Sequence, residues 1–475
     1  MHSSIPSQRP AARPGRRGHS LAALAAAALL AFAGSARAQS LQELYEAARA
    51  YDATYLSAKS LAQSAQYRVA QSEGLSNPTL AATAGASLAR VDPPNNSVST
   101  FTVNGAGQVV PITVPTGDAA SSRTAQAALN GRYPLINRAN GVTIAQARKG
   151  LESAQTDLET AEQDLIVRVA VAYFDVLAAQ DTLATTRASK TAITEQLASA
   201  KRNFEVGTAT ITDTREAQAR FDLATAQEIA ADNDLRAKRI ALDTLVGRSG
   251  VAPKPLAVPV VLPALAPAAV EAWVGEADGR HPSVRRARVG LEVARLETEK
   301  ARAAEAPTLD AVGSVGASDS RGNAVTSTSR GTAKTASIGV QFNWPLYTGG
   351  VTQARIKETL ILEDKAGNDL EAARRGVAQG TRVAFFGVQS GQARVLALEA
   401  AETSTKLALE ATQLGYKVGV RVNLDVLNAQ TQLYSTQADL AKARYDVVVG
   451  GLKLRQASGQ LASGDVEAVN RLLAK

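Results

Sequence analysis

Few residues in this chain are able to do chemistry. The 475-residue sequence holds three histidines and no cysteine, and His2 and His19 lie in a basic N-terminal stretch. That leaves His281. It stands before Pro282 and a helical pattern, a combination that reads as a helix entry, since proline suits the first helical position. An active centre needs a nucleophile, a base and an orienting group within mutual reach, and no spacing in the sequence assembles one. The chain therefore does not read as an enzyme, and no cofactor or metal is expected. Two acidic residues do recur in a regular setting, namely Asp213 and Asp425, and what organises them is repetition.

The sequence says nearly the same thing twice. Phe204-x-x-Gly207 is followed by Asp213 and Ala217-Gln218, and Tyr416-x-x-Gly419 by Asp425 and Ala429-Gln430, every position offset by 212. Tyr133-Pro134-Leu135 is echoed by Trp344-Pro345-Leu346, and Asn77-Pro78-Thr79-Leu80 by Ala306-Pro307-Thr308-Leu309. Landmarks in one order imply a duplicated unit of about 200 residues, far longer than a solenoid repeat.

Residues 1–38 read as a secretory signal peptide. Arg9, Arg13, Arg16 and Arg17 precede an apolar run from Leu21 to Phe32, and Ala36-Arg37-Ala38 offers a cleavage site. Removing its five arginines takes the formal charge of +8 to +3, so the basic composition is no argument for nucleic-acid binding. With 20 aromatic residues in 475 and alanine throughout, the composition favours closely packed long helices over a compact ball.

Helical periodicity dominates. A stripe runs Leu151, Ala154, Leu158, Ala161, Leu165, Val169, Ala172, Val176, Ala179, Leu183, a heptad seam with one four-residue stutter. It predicts a helix from about Val142 to Phe204, with a counterpart from Val351 to Tyr416 whose seam is blurred by Gly376, Gly380, Gly387 and Gly391. Gly207 and Gly419 mark turns into return helices at roughly 213–246 and 425–458.

Four segments switch to period two, at about 77–90, 122–136, 307–318 and 333–347. Each reads as a tilted membrane strand, with Tyr133, Trp344 and Tyr347 at strand ends as membrane-interface aromatics. A polar loop at 91–121 carries Pro93-Pro94-Asn95-Asn96 and a hairpin signal at Asn104-Gly105, and a shorter loop spans 319–332. The expected domains are a first repeat at 39–246, a Pro-rich linker or equatorial region at 247–282, a second repeat at 283–458 and a tail at 459–475. Four strands cannot close, and a sheet in lipid tolerates no open edge. Two copies give eight strands with a filled interior, whereas three give twelve and leave a lumen.

This order of signal, helix, two strands and two helices, then linker and repetition, resembles the TolC family of outer-membrane channel-tunnel proteins. The motifs that carry the resemblance are Asn77-Pro78-Thr79-Leu80, Tyr133-Pro134-Leu135, Phe204-Glu205-Val206-Gly207 with Thr212-Asp213, and Tyr416-Lys417-Val418-Gly419 with Arg421 and Asp425-Val426-Leu427. It implies a mixed α and β membrane protein with an internal duplication: a long antiparallel α-helical barrel plus a transmembrane β-barrel, four strands per chain and twelve per trimer. It also implies a homotrimer in the bacterial cell outer membrane, projecting into the periplasm, in contact with outer-membrane lipid. The implied partners are a periplasmic adaptor (membrane fusion) protein and an inner-membrane ABC or RND transporter, and exported cargo passes unmodified.

By residue match, the tip turns at Gly207 and Gly419 form the periplasmic entrance. Tyr416 and Arg421 are expected to tie it to the neighbouring turn at Thr212 and Asp213. Asp425 belongs to an anionic constriction, in which Asn428 replaces a second aspartate. An exposed Arg–Asp link is worth only ~0–1 kcal/mol, which suits a gate. The pathway expected is type I protein (toxin) secretion; a drug or metal efflux duct is the alternative. A trimeric coiled-coil adhesin is disfavoured because the strands are split between two repeats.

Overall fold

The computed structural model describes residues 38–91, 96–116, 120–322 and 330–474. The signal segment up to residue 37, Pro93-Pro94-Asn95 and residues 323–329 of the 319–332 loop lie outside them. Helix α1 (Leu41–Tyr51) starts at Ser40, whose side chain and Glu43 form a capping box. Helix α2 (Ala53–Glu73) starts at Asp52, and Arg168 grips that carboxylate through two hydrogen bonds of 2.9 and 3.0 Å. This ion pair holds Asp52 below the usual carboxylate range.

Strand β1 (Thr79–Val91) leads into a ribbon of β2 (Asn96–Val103) and β3 (Val109–Thr116), and β4 (Ala120–Ile136) returns. The ribbon turns at Asn104–Gln108, with Gly107 at φ 75°, so much of the expected polar loop is β structure. Helix α3 (Arg138–Glu205) has 68 residues, about 100 Å at 1.5 Å per residue, and α4 (Ile211–Val246) runs back along it.

The Pro-rich stretch is only partly a linker. Beyond Pro267 no proline blocks helical hydrogen bonding, and α5 (Val270–Arg280) forms there. Pro282 is already the first residue of α6 (Pro282–Ala303), capped by His281. The second half continues with β5 (Thr308–Gly322), β6 (Gly331–Asn343), α7 (Val351–Lys417) and α8 (Asn423–Ala457), and ends in α9 (Ser463–Asn470). The fourth strand stops at Asn343, short of the expected 347, because Pro345 has no N–H for the ladder. Trp344 and Tyr347 therefore lie just beyond the sheet. Tyr133-Pro134 stays inside β4, at the price of a register shift between Pro134 and Ile136.

The four long strands form one antiparallel sheet in the order β1-β4-β5-β6. The main hydrophobic core lies midway along α3, where Leu165, Val169, Tyr173, Phe174 and Val176 meet Leu41, Leu44 and Tyr45 of α1 and Tyr445 and Leu452 of α8. The stripe read from the sequence is thus the buried edge of α3, with Leu165, Val169, Val176, Ala179 and Leu183 fully enclosed. The strap from Val251 to Leu262 is pinned on both sides. The Gln39 N–H donates to Ala252 O (2.7 Å), the Ala257 N–H to Leu472 O (2.8 Å), and Tyr173 Oη lies 2.9 Å from Lys254 O.

Candidate functional site

The two tip turns are built alike. In the first, the N–H groups of Thr208 and Ala209 both donate to Asn203 O, at 2.8 and 3.2 Å. In the second, 212 residues on, Val420 and Arg421 donate to Gly415 O, at 2.9 and 3.2 Å. Gly207 and Gly419 sit at φ 77° and 82°, a left-handed conformation in which a side chain is strained.

They differ at the helix starts that follow. Thr210 and Asp213 make a reciprocal capping box on α4, so Asp213 is spent on its own helix, and Thr212 is an exposed first-turn residue. The matching position on α8 is Val422, which has no capping side chain. There Asp425 pairs with Arg421 at 3.5 Å. Among the described residues, the expected tie from Arg421 to Thr212 and Asp213 is not made within one chain, because both carboxylates are engaged locally.

Other residues join the two turns. Asn203 Nδ2 donates to Tyr416 Oη at 3.2 Å. Asn423, buried at the start of α8, accepts from Gln196 and donates to the backbone carbonyl of Asp213 at 3.4 Å. Arg220 donates to Asn428 Oδ1 at 2.8 Å. The position read as a lost anion is thus a hydrogen-bond acceptor linking α4 to α8. Asn203, Gln196 and Asn423 escaped sequence reasoning because an amide at a helix end carries no periodic signal.

The sheet has two unlike faces. Leu80, Gly131, Gly313 and Ile338 align across the strands, as do Ala82, Leu129, Val315 and Ala336. This apolar face continues through Tyr133, Val340 and Phe342, and Ile338 is 95% exposed. The reverse face aligns Ala81, Asn130, Ser314 and Ser337. It also carries a Ser314–Ser337 hydrogen bond of 2.8 Å and an Arg132–Asp310 ion pair of 2.6 Å. Among the described residues, the outer edges of β1 and β6 pair with no further strand.

The helices repeat this two-sidedness. Stepping four and three residues alternately along α7 from Ala372 to Leu414 passes Gly376, Val383, Phe386, Ala393, Ala400 and Leu407, all exposed. Of the glycines that blur the sequence pattern, Gly376 lies on this outward seam, whereas Gly391 faces Val447 of α8. On α8 the same stepping meets Asn428, Gln432, Ser435, Asp439, Lys442 and Asp446, also exposed but polar. No helix in the described residues is long and apolar enough to cross a membrane, which says nothing of a β-barrel.

The family described as outer membrane efflux protein matches residues 44–248 and 273–460. The chain is 32% identical over 444 residues to outer membrane protein TolC of Vibrio cholerae, covering 94% of this chain and 96% of that one. It is 37% identical over 337 residues to the alkaline protease secretion protein AprF of Pseudomonas aeruginosa, covering 69% and 68%. Its fold is similar to the crystal structure of VceC from Vibrio cholerae, with a TM-score of 0.69, 19% identity, and 88% and 96% of the two chains covered. The Campylobacter jejuni CmeC outer membrane channel gives a TM-score of 0.71 at 16% identity, with 91% and 90% covered.

Proposed function

This chain belongs to the outer membrane efflux protein family, the TolC family, and from that premise we propose that three copies join into one conduit across the outer membrane and periplasm. It is an outer-membrane efflux or secretion channel protein with a periplasmic tunnel. The finer reading is a twelve-stranded barrel over a twelve-helix tube, opened by an inner-membrane transporter and a periplasmic adaptor docked at the tip turns.

One observation carries this reading: a four-stranded sheet that is apolar on one face, polar on the other and unpaired at both edges. In lipid each unsatisfied backbone group costs several kcal/mol, and among the described residues no further strand pairs with either edge to relieve them, since β2 and β3 pair only with each other. The seam on α7 adds support. Its small residues allow close approach of a neighbouring copy, while the polar stripe on α8 is suited to water inside. That one family matches the chain in two successive stretches supports the duplication.

The chain lacks cysteine, so an introduced pair reports cleanly. With Ala82→Cys on β1 and Ala336→Cys on β6, oxidation in membranes should give a covalent trimer on denaturing gels. A ladder stopping at the dimer, or none, overturns the threefold closure. At the tip, Arg421→Ala removes the pair with Asp425 and should raise single-channel current in planar bilayers; unchanged current removes Arg421 from the gate.

For cargo, type I protein secretion is favoured by the greater identity to the protease secretion protein AprF (37%) than to the toluene efflux protein TtgI (26%). Deleting the chain should trap an exported protein inside the cell. Sensitivity to small toxicants without a secretion defect favours the efflux reading instead.

A further inference from the structure

At the end of the sheet away from the helices, the apolar face changes character. Arg123 of β4 stands directly opposite Arg321 of β5, and both share a face with Leu88 and Leu129. Like charges placed opposite one another across strands destabilise a sheet. Arg90 lies one row further out, and Lys334 of β6 extends the group across the face. Against Arg123, Arg321 and Lys334 the described residues of this face carry one carboxylate, Asp319, which pairs with Arg321 at 2.9 Å and accepts from Thr332 at 3.0 Å. Arg123 and Lys334 are exposed and make no hydrogen bond or ion pair among the described residues. The cluster is therefore under-neutralised and sits on the surface that also presents Ile338 and Val315.

Its height matters. From Tyr133 to Arg123 is ten residues of β4, roughly 34 Å of strand, or roughly 26 Å of membrane thickness at a tilt of ~40°. That matches the ~25 Å apolar band of an outer-membrane barrel. Tyr133 and Phe342 then mark one interface, and Arg123 and Arg321 lie at the opposite one, among headgroups, with Lys334 two rows nearer the apolar band and its long side chain able to reach outward.

We propose that Arg123, Arg321 and Lys334 form a binding site for the phosphate groups of a lipid headgroup in the outer leaflet. The site rests on the reading that the apolar face meets lipid. A guanidinium pair facing each other across adjacent strands suits a phosphate, to which arginine offers paired donors, and Lys334 adds a point charge. An anion between Arg123 and Arg321 turns their repulsion into attraction, so lipid binding also strengthens the β4–β5 pairing.

The test uses the full mature chain in neutral detergent, with native mass spectrometry and thermal melting as readouts. The probes are a bisphosphorylated diglucosamine glycolipid, the same lipid stripped of its phosphates, and inorganic phosphate. The parent should bind the phosphorylated lipid at least tenfold tighter than the stripped one, and melt higher with it. Arg123→Gln with Arg321→Gln and Lys334→Gln should abolish that preference and leave binding of the stripped lipid unchanged. Asp319→Asn, which removes the carboxylate paired with Arg321, should tighten phosphorylated-lipid binding about threefold, an outcome misfolding cannot mimic. Equal binding of the two lipids by the parent, or competition by millimolar inorganic phosphate alone, overturns the proposal. If the parent conducts in bilayers yet shows no phosphate preference, this site falls and the channel reading stands; if it neither inserts nor conducts, both fall.

Discussion

Phe174 and Phe386 occupy matching positions 212 residues apart on the two long helices, yet the first is 2% exposed and the second 53%. Phe174 stacks against Tyr445 of α8 with ring centroids 5.7 Å apart. Helix α3 is covered by α2, α4, α6 and α8, whereas α7 meets α5, α6 and α8 and leaves its outer seam bare. The residue type is the same, so the exposure reports a missing neighbour and not a different design. One half of the chain finishes its packing internally, and the other half leaves an apolar seam bare. The tip turns differ in the same sense, with Thr210 and Asp213 closing the first helix start and Val422 leaving the second open.

The comparison breaks most forcefully at the phenylalanines. Phe174→Ala should lower stability by about 3–5 kcal/mol, as large aromatic truncations in a packed core do, seen as a large drop in melting temperature. Phe386→Asp should leave the circular dichroism of the isolated chain unchanged and reduce the light-scattering mass in detergent from three copies to one. Equal damage to the fold by both would erase the distinction between an inner and an outer seam.

At the turns the effects are smaller and opposite in sign. Thr210→Ala should cost α4 about 1 kcal/mol, while Val422→Thr supplies α8 with a cap worth a similar amount. Hydrogen exchange at residues 211–216 should quicken in the first variant and at 423–428 slow in the second. A cap that stiffens the second turn should also reduce opening of the entrance, so Val422→Thr is expected to lower single-channel current where Arg421→Ala raises it.

The smallest effect concerns His281, the cap of α6. Burial first, and then the nearby Arg285, hold its imidazole below the ordinary value of 6.5. Its Nδ1 accepts from the Ser283 N–H at 3.1 Å, which needs the neutral ring. Its contribution is therefore complete above the unfolded value and is lost as the pH falls through the folded one. Melting temperature between about pH 7 and 5 should fall more for the parent than for His281→Asn, which caps without titrating; identical profiles would assign the acid sensitivity elsewhere.

Much of this architecture is legible in the residues. The stripe from Leu151 to Leu183, the glycines at 207 and 419 and the alternation around Val315 and Ile338 each state a period, and period determines which face is buried. What stays hidden depends on a third dimension. Helix α5 is masked by the prolines just before it, and the ladder end at Asn343 turns on a missing N–H at Pro345. The seam on α7 mixes Val383, Phe386 and Leu407 with Gly376 and alanines, whose weak hydrophobicity blurs its period. At the tip, sequence reasoning singled out Asp213, Tyr416 and Arg421. It missed the local capping box that occupies Asp213 and the amides of Asn203 and Asn423 that bridge the turns.

The strap between the halves has a consequence for biogenesis. Its backbone is held from one side by Gln39 and from the other by Leu472 and Leu473, residues that lie at opposite ends of the described chain. Closing so long a loop is entropically expensive and slow. The waist of the molecule therefore locks only after the last segment has been delivered. Until then α1 lacks its contact with α9, and a chain halted before α9 should linger as an open, protease-sensitive hairpin of coils.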